Sequence, residues 1–334
     1  MNKKKLIILS ISFWAEDYLR DSIVPSKIKY FDLIIEKKNK KVIDFIKINN
    51  INCKIYIKNK ITAQWFKKTF DTKNSLLLSA GSPWIIDKQI IKLFKNDIIN
   101  VHQSPLPSFR GAVASYVRLF ELRALQTCLH VVKTKLDQGP IVFQKDIFID
   151  KSYDTPLKIN NYLQIKNREI IREFLYSYFI LKKKLTYSKQ NDYFSSYMPR
   201  LKSKINGWID WSLNSYELDR FIGAFDDPYP GARTMLHGKE VCFFDVQISC
   251  LDSSKHPFEN GMVLRKFADR LVISVNGGSL YVKKIMLKNK NIIDSIKPGD
   301  IFYTNLNKLD LTNRRNIFVV NKKILTNQLK IKKI

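Results

Sequence analysis

Along the first half of the chain, short apolar runs alternate with stretches whose apolar residues recur every three or four positions. The runs read as strands buried on both faces, and the periodic stretches read as helices. Strands are predicted over Leu6–Ile11, Tyr30–Ile35, Cys53–Ile57, Ser75–Leu78 and Ile98–Val101. Helices are predicted between them, over Trp14–Ser22, Lys41–Asn49, Thr62–Phe70 and Lys88–Phe94. This rhythm implies βαβ units around a mostly parallel sheet, an α/β fold. A helix over Val113–Leu125 follows, then a strand pair over Leu129–Lys133 and Ile141–Ile147. The segment Asp154-Thr-Pro156 opens a long helical stretch to Lys184, with a cap residue followed by proline in the first turn.

The pattern breaks at Leu185. Residues 185–207 are polar and aromatic without a period, and read as a linker. A helix over Ser215–Ala224 comes next, then short strands over Ala232–Leu236, Glu240–Ile248, Gly261–Lys266, Leu271–Val275 and Ser279–Leu287. Turn signals at Asn276-Gly-Gly278 and Lys297-Pro-Gly-Asp300 punctuate them. Short antiparallel strands of this kind suggest a small OB-like β-barrel. The expected organisation is a first domain over 1–184, a linker over 185–207, an OB-like domain over 208–305 and a basic tail over 306–334.

Length agrees with two domains, since 334 residues exceed the usual single domain of about 100–200. No apolar run approaches the ~18 residues of a membrane span. The start, Lys3-Lys-Lys-Leu-Ile-Ile-Leu-Ser10, imitates a signal peptide. Its apolar part is short and runs into acidic Glu16 and Asp17, so it reads as the first buried strand. Four cysteines without a Cys-x-x-Cys pair and four scattered histidines give no metal-site spacing. Reduced thiols and a cytoplasmic location are expected.

The net charge of +28 has two readings. Basic surfaces bind phosphates and steer anionic ligands. Alternatively, Lys, Ile and Asn are the residues of AT-rich codons, and coding bias supplies the charge. Lysine far outnumbers arginine, the residue preferred for phosphate forks. From Lys288 onward, eleven Lys or Arg stand against three Asp or Glu.

Candidate chemistry lies in Ile99-Asn-Val-His-Gln-Ser-Pro-Leu-Pro-Ser-Phe-Arg-Gly111 and Leu136-Asp-Gln-Gly-Pro140. Asn100 and His102 are two apart in a predicted strand, so they share a face. The prolines after them end the strand and leave the pair near its carboxyl end, where open α/β sheets bind ligands. An amide, an imidazole and the carboxylate of Asp137 suit acyl-group chemistry: two donors for a developing oxyanion and a group to handle protons. A carboxylate beside His102 would raise its pKa and favour the imidazolium.

The ordered set Asn100, His102, Ser104, Leu106, Pro107, Gly111, Asp137 and Gly139 resembles the signature of folate-dependent formyltransferases. His130-Val-Val-Lys-Thr-Lys-Leu-Asp137 is similar to the corresponding run of glycinamide ribonucleotide formyltransferase. Ile209-Asp-Trp-Ser212 and Asp227-Pro-Tyr-Pro-Gly-Ala232 resemble the second domain of methionyl-tRNA and sugar formyltransferases. The resemblance implies a Rossmann-like catalytic domain and 10-formyltetrahydrofolate as co-substrate, with no metal. Asn100, His102 and Asp137 become the catalytic set. Gly81, Trp84, Ile85, Ile86, Leu136, Gln138, Gly139 and Pro140 would hold the folate. Ser104, Arg110 and Gly111 would serve the acceptor side. Ser104 also fits a plain capping hydroxyl, His130 a structural histidine, and Pro228, Pro230 and Gly231 a rigid turn docking the two domains.

The chain departs from methionyl-tRNA formyltransferases near the acceptor. Ser10-Ile-Ser-Phe-Trp14 replaces their Gly-Thr-Pro turn, their long basic insertion after the second strand is missing, and Arg110-Gly-Ala-Val-Ala-Ser115 replaces Arg-Gly-Ala-Ala-Pro-Ile. These departures point to a small amine acceptor, a nucleotide-linked amino sugar. Initiator methionyl-tRNA is the alternative. A non-catalytic nucleic-acid binder and a formyl-folate hydrolase are further readings. The first loop has no Gly-x-Gly, which speaks against a dinucleotide cofactor. Oligomeric state is not encoded in any motif.

Overall fold

The computed structural model describes residues 5–249, 252 and 256–314. The first strands are β1 (Lys5–Ser10), β2 (Phe31–Ile35), β3 (Cys53–Ile57), β4 (Ser75–Ala80), β5 (Ile98–His102), the two-residue β6 (Arg110–Gly111), β7 (Ala124–Val131), β8 (Ile141–Phe148) and the two-residue β9 (Tyr197–Met198). Seven of them form one sheet in the order β3-β2-β1-β4-β5-β7-β8. The first five run parallel, while β7 and β8 are antiparallel additions. Every residue of β2 and β4 is buried, as strands covered on both faces are, including the polar Asp32, Ser75 and Ser79. Two apolar cores lie against the sheet, one around Ile8, Leu33 and Phe174, the other around Ile7, Phe66 and Phe94. Each such side chain contributes about 1.5–3 kcal/mol on burial.

The helix Pro156–Leu175 starts where Thr155 caps the Lys158 N–H, and buries Ile159, Leu163, Ile170 and Phe174. It continues as one π-turn over Tyr176–Ile180 and stops before Lys182, whose φ of 55° is left-handed. The predicted stretch to Lys184 was therefore a few residues too long. The helix expected over Val113–Leu125 is corrected more strongly: it spans only Ala114–Leu119. Glu121 adopts a left-handed φ of 52°, and the apolar residues beyond it serve β7, where Ala124 pairs with Phe148. A backbone ladder has overridden a helical spacing.

The second sheet holds β10 (Ala232–Leu236), β11 (Lys239–Ser249), β12 (Val263–Lys266), β13 (Leu271–Val275), β14 (Gly278–Leu287) and β15 (Lys290–Asn291). Its order is β10-β11-β14-β13-β12, all antiparallel, with β15 on β14. Residues just after it bridge its two edges: Tyr303 exchanges backbone bonds of 2.8 and 3.1 Å with Met235, and Ile301 bridges Met262. A capping box of Asn214 and Glu217 starts the helix Ser215–Ala224, which buries Leu218 and Ile222 in this core.

That helix also joins the two halves. Arg118 reaches Asp219 at 2.6 Å in a largely buried ion pair. The Asp227 carbonyl accepts from the Leu157 N–H at 2.8 Å, so the Asp227-Pro-Tyr-Pro-Gly231 segment meets the first domain as a turn. Asp226 accepts from the Asp227 and Asp245 N–H groups, and burial pushes its carboxyl pKa up. Of the predicted basic tail, Leu306–Thr312 is a helix, with the Thr312 carbonyl accepting from Asn206 and Lys308 over the Trp208 ring. Residues 315–334 of that tail lie outside the described residues. Among the described residues no helix is long and apolar enough to cross a membrane.

Candidate active site

Strand β5 carries the first two side chains of the predicted set. Asn100 pairs across the ladder with His130 of β7, and His102 is the last residue of β5. The Asn100 amide nitrogen is 3.2 Å from His130 Nε2. His130 Nδ1 is 3.0 Å from the Val131 carbonyl, which can only accept. The His130 ring is thus held between the Asn100 amide on one side and the Val131 carbonyl on the other. His102 is buried, and its Nε2–H donates to the Phe109 carbonyl at 2.8 Å. That leaves Nδ1 of the neutral ring with its lone pair free, 3.8 Å from Asp137 Oδ2.

Asp137 sits in the loop between β7 and β8 with a left-handed φ of 53°. Its Oδ2 accepts from the Gly111 N–H at 2.9 Å, and its Oδ1 stands 3.5 Å from His130 Nε2. Burial alone would raise its pKa, but the His130 and His102 imidazoles and the Gly111 N–H outweigh it and hold the carboxyl at about 2. For His102 burial acts first and pushes the pKa below the usual histidine value, ahead of the opposing pull of Asp137 and with added repulsion from His130. The expected imidazolium at neutral pH is thus replaced by a neutral ring beside an ionised carboxylate.

The loop after β5 is braced from within. Ser104 is fully buried and its hydroxyl donates to the Phe109 carbonyl at 2.7 Å, the same oxygen that receives His102. Arg110 is buried as well. Its guanidinium donates to Gln190 Oε1 at 3.1 and 2.8 Å and to Asp192 Oδ1 at 2.6 Å. The guanidinium expected on the acceptor side is thus paired with a carboxylate of this chain. Gly111 has φ 96°, and a Cβ there would stand 2.5 Å from the Met198 carbonyl where β6 pairs with β9.

Glycines also shape the two loops predicted to hold a pteridine. Gly81 follows β4 at φ 66°, and a Cβ on it would collide with the Trp14 ring. Because Ser79 is opposite Asn100, the chain enters the 81–86 loop at the level of His102. Trp84 and Ile86 pack on the core while Ile85 is 52% exposed. In the 136–140 loop Leu136 is 46% exposed, Gln138 and Pro140 are half-buried, and Gly139 is buried. Gly139 does not hold the left-handed turn position of this loop. Asp137 takes the left-handed position instead, and Gly139 is needed because a Cβ would strike the Val131 carbonyl. Among the described residues no group of three or more His, Cys, Asp or Glu is arranged to hold a metal.

The structure also brings in residues the sequence reading gave no site role. Gln190 and Asp192 came from a presumed linker, and Phe109 contributes only its carbonyl, so neither had a chemical signal. His130 did have one, the run that ends in Asp137, but an apolar strand around a lone histidine argued for a structural role.

Comparison with known proteins agrees across both halves. A family model described as "Formyl transferase" matches residues 22–175, and one described as "Formyl transferase, C-terminal domain" matches residues 202–297. The chain is 28% identical over 240 residues to the bifunctional polymyxin resistance protein ArnA of Wigglesworthia glossinidia brevipalpis, a match covering 72% of this chain but 35% of that protein. It is 26% identical over 211 residues to methionyl-tRNA formyltransferase of Nitrosomonas eutropha, covering 61% of this chain and 65% of the relative. The chain thus spans about a third and about two thirds of these relatives. Among solved structures, an N-formyltransferase of Helicobacter canadensis, crystallised with folinic acid and dTDP-3-aminofucose, shares the fold with a TM-score of 0.59 at 18% identity, over 84% of this chain and 98% of that one.

Proposed function

Because the chain belongs to the formyl transferase family, we propose that it moves a formyl group from 10-formyltetrahydrofolate to the primary amine of a nucleotide-linked amino sugar. The observation that carries this reading is the cluster of Asn100, His102 and Asp137 around one end of β5. The folate supplies a formyl group on N10, and the exposed Ile85 and Leu136 side chains of the two loops fit an apolar ring system. Gly81, Trp84, Ile86, Gln138, Gly139 and Pro140 complete those loops.

The protein's part is donation and proton handling. An Asn100 amide N–H donates to the formyl oxygen as negative charge develops there. His102, neutral through burial, takes the proton of the incoming amine on Nδ1. Asp137, ionised and 3.8 Å away, stabilises the imidazolium so formed. The same proton then passes to the departing N10 as the carbon–N10 bond breaks, so charge balances without a covalent enzyme adduct. Ser104, Arg110 and Gly111 hold the loop that meets the acceptor.

A sugar acceptor is favoured by the short path after β2, where only residues 36–39 precede the helix Lys40–Ile48, leaving no basic insertion there to grip a tRNA arm. The Helicobacter canadensis neighbour, crystallised with an amino-sugar nucleotide, supports the same reading. Initiator methionyl-tRNA remains the second reading, supported by the methionyl-tRNA formyltransferase relatives and the net charge of +28. We read residues 1–184 as the catalytic unit, 185–207 as a linker built into its site, and 208–305 as an OB-like barrel, a reading that the edge bridges at Ile301 and Tyr303 support. Free thiols at Cys53, Cys128 and Cys242 suit a reducing cytoplasm.

The test is formyl transfer from 10-formyltetrahydrofolate, with nucleotide-linked amino sugars in one set and charged initiator tRNA in another. Turnover with a sugar is expected. Turnover with tRNA alone would overturn the acceptor, and no turnover with any amine would overturn the reaction.

A further inference from the structure

Gln190 spends every hydrogen bond of its amide between the two loops of the site. Its Oε1 accepts from Arg110 Nε at 3.1 Å and from Arg110 Nη2 at 2.8 Å. Its Nε2 donates to the carbonyls of Asp137 at 2.8 Å and Gly139 at 2.7 Å. Two donors and two acceptor sites are all that a primary amide has. The orientation is also settled chemically, because the reversed amide would aim N–H groups at a guanidinium and an oxygen at two carbonyls. The residue is buried, so no water competes for these bonds.

The chain holds Gln190 from both sides. Ser188 exchanges backbone bonds of 2.8 Å with Ile141, and β9 pairs with β6 at Arg110 and Gly111. The side chain therefore links the loop that carries Gly111 to the loop that carries Asp137. Asp137 needs such a support. Its left-handed backbone is unfavourable for a residue with a Cβ unless the surroundings fix it. Its carboxylate takes its aim from the Gly111 N–H at 2.9 Å.

We propose that Gln190 is a positioning residue for formyl transfer: by clasping the carbonyls of Asp137 and Gly139 to Arg110 it aims the Asp137 carboxylate at His102. This rests on the assignment of Asp137 to the reaction. Glutamate cannot replace it, since a carboxylate pairs with Arg110 but repels both carbonyls.

The experiment compares Gln190→Met, Gln190→Glu and Asp137→Asn in the full chain, with folding checked by circular dichroism. The readout is kcat against pH, with 10-formyltetrahydrofolate and dTDP-3-aminofucose as the nucleotide-linked amino sugar. Both Gln190 variants are expected to lose at least about tenfold in kcat. Their acid limb should move to lower pH, because a carboxylate that drifts away no longer raises the His102 pKa. If Gln190→Met fails to fold, Gln190→Glu, which keeps Arg110 paired, carries the test. Native kcat in the folded variants, or a loss of kcat with the acid limb unmoved, would overturn the proposal. Native turnover in Asp137→Asn would instead remove the site assignment beneath it, so the two failures are distinguishable.

Discussion

The His102 imidazole and the Asp137 carboxylate meet with Nδ1 3.8 Å from Oδ2, one at the end of β5 and the other in the loop between β7 and β8. The contact is buried on both sides, and the other edge of the imidazole is tied to the Phe109 carbonyl. A proton taken up at Nδ1 therefore arrives next to a negative charge. Replacing His102 with alanine or Asp137 with asparagine should lower kcat by about 10²–10⁴-fold. Circular dichroism should stay native. A variant within twofold of native kcat would remove that residue from the mechanism.

Acid should weaken both activity and stability. His102 has its folded pKa pushed below its ordinary 6.5, so the ring is neutral at pH 7, and kcat should hold level there and above and fall as pH drops through that lowered pKa. Asp137 has its pKa depressed from 3.8 to about 2. A depressed carboxyl stabilises the fold above its unfolded pKa and loses that contribution as pH falls through the folded one. The window is about pH 4 down to 2, and the contribution is about 2 kcal/mol. Denaturant titrations of native protein and Asp137→Asn across that window check this. A kcat that declines between pH 7 and 8 would contradict a neutral His102.

Gly111 and Gly139 should not tolerate a methyl group, for different reasons. At Gly111 alanine meets both an unfavourable φ of 96° and the Met198 carbonyl 2.5 Å away. At Gly139 the clash with the Val131 carbonyl suffices. Each substitution should destabilise by about 1–3 kcal/mol and displace the Asp137 loop, so kcat should fall further than stability alone explains. Thermal melts beside kcat measurements below the transition separate the two effects.

The ion pair of Arg118 and Asp219 is expected to hold the two domains together. Asp219→Ala leaves a mostly buried guanidinium uncompensated and should cost about 3–5 kcal/mol. The double change Arg118→Met with Asp219→Leu should cost less than that single change, because no charge is stranded. Equal losses in a urea titration would show that the pair contributes through shape alone.

The linear pattern carried much of this protein. Short apolar-rich runs marked the strands of the parallel sheet, because strands covered on both faces carry few polar positions. Asn100 and His102 could be placed on one face of β5 from their spacing, and the short strands beyond Ala232 announced an antiparallel sheet. The family signature selected Asp137. Where prediction failed, at Leu122–Leu125, the same apolar residues satisfy a helix face or a strand, and only the pairing of Ala124 with Phe148 decides.

What the tertiary structure alone decided are relationships between distant segments. Burial, not the neighbouring carboxylate, sets the charge of His102, and no spacing encodes burial. The carbonyl of Phe109, the amide of Gln190 and the carboxylate of Asp192 acquire their roles only when the linker folds back between the Arg110 and Asp137 loops. A sequence specifies side chains and local periods. Hydrogen bonds to backbone atoms many residues away, and the dielectric in which they form, exist only once the chain has closed around them.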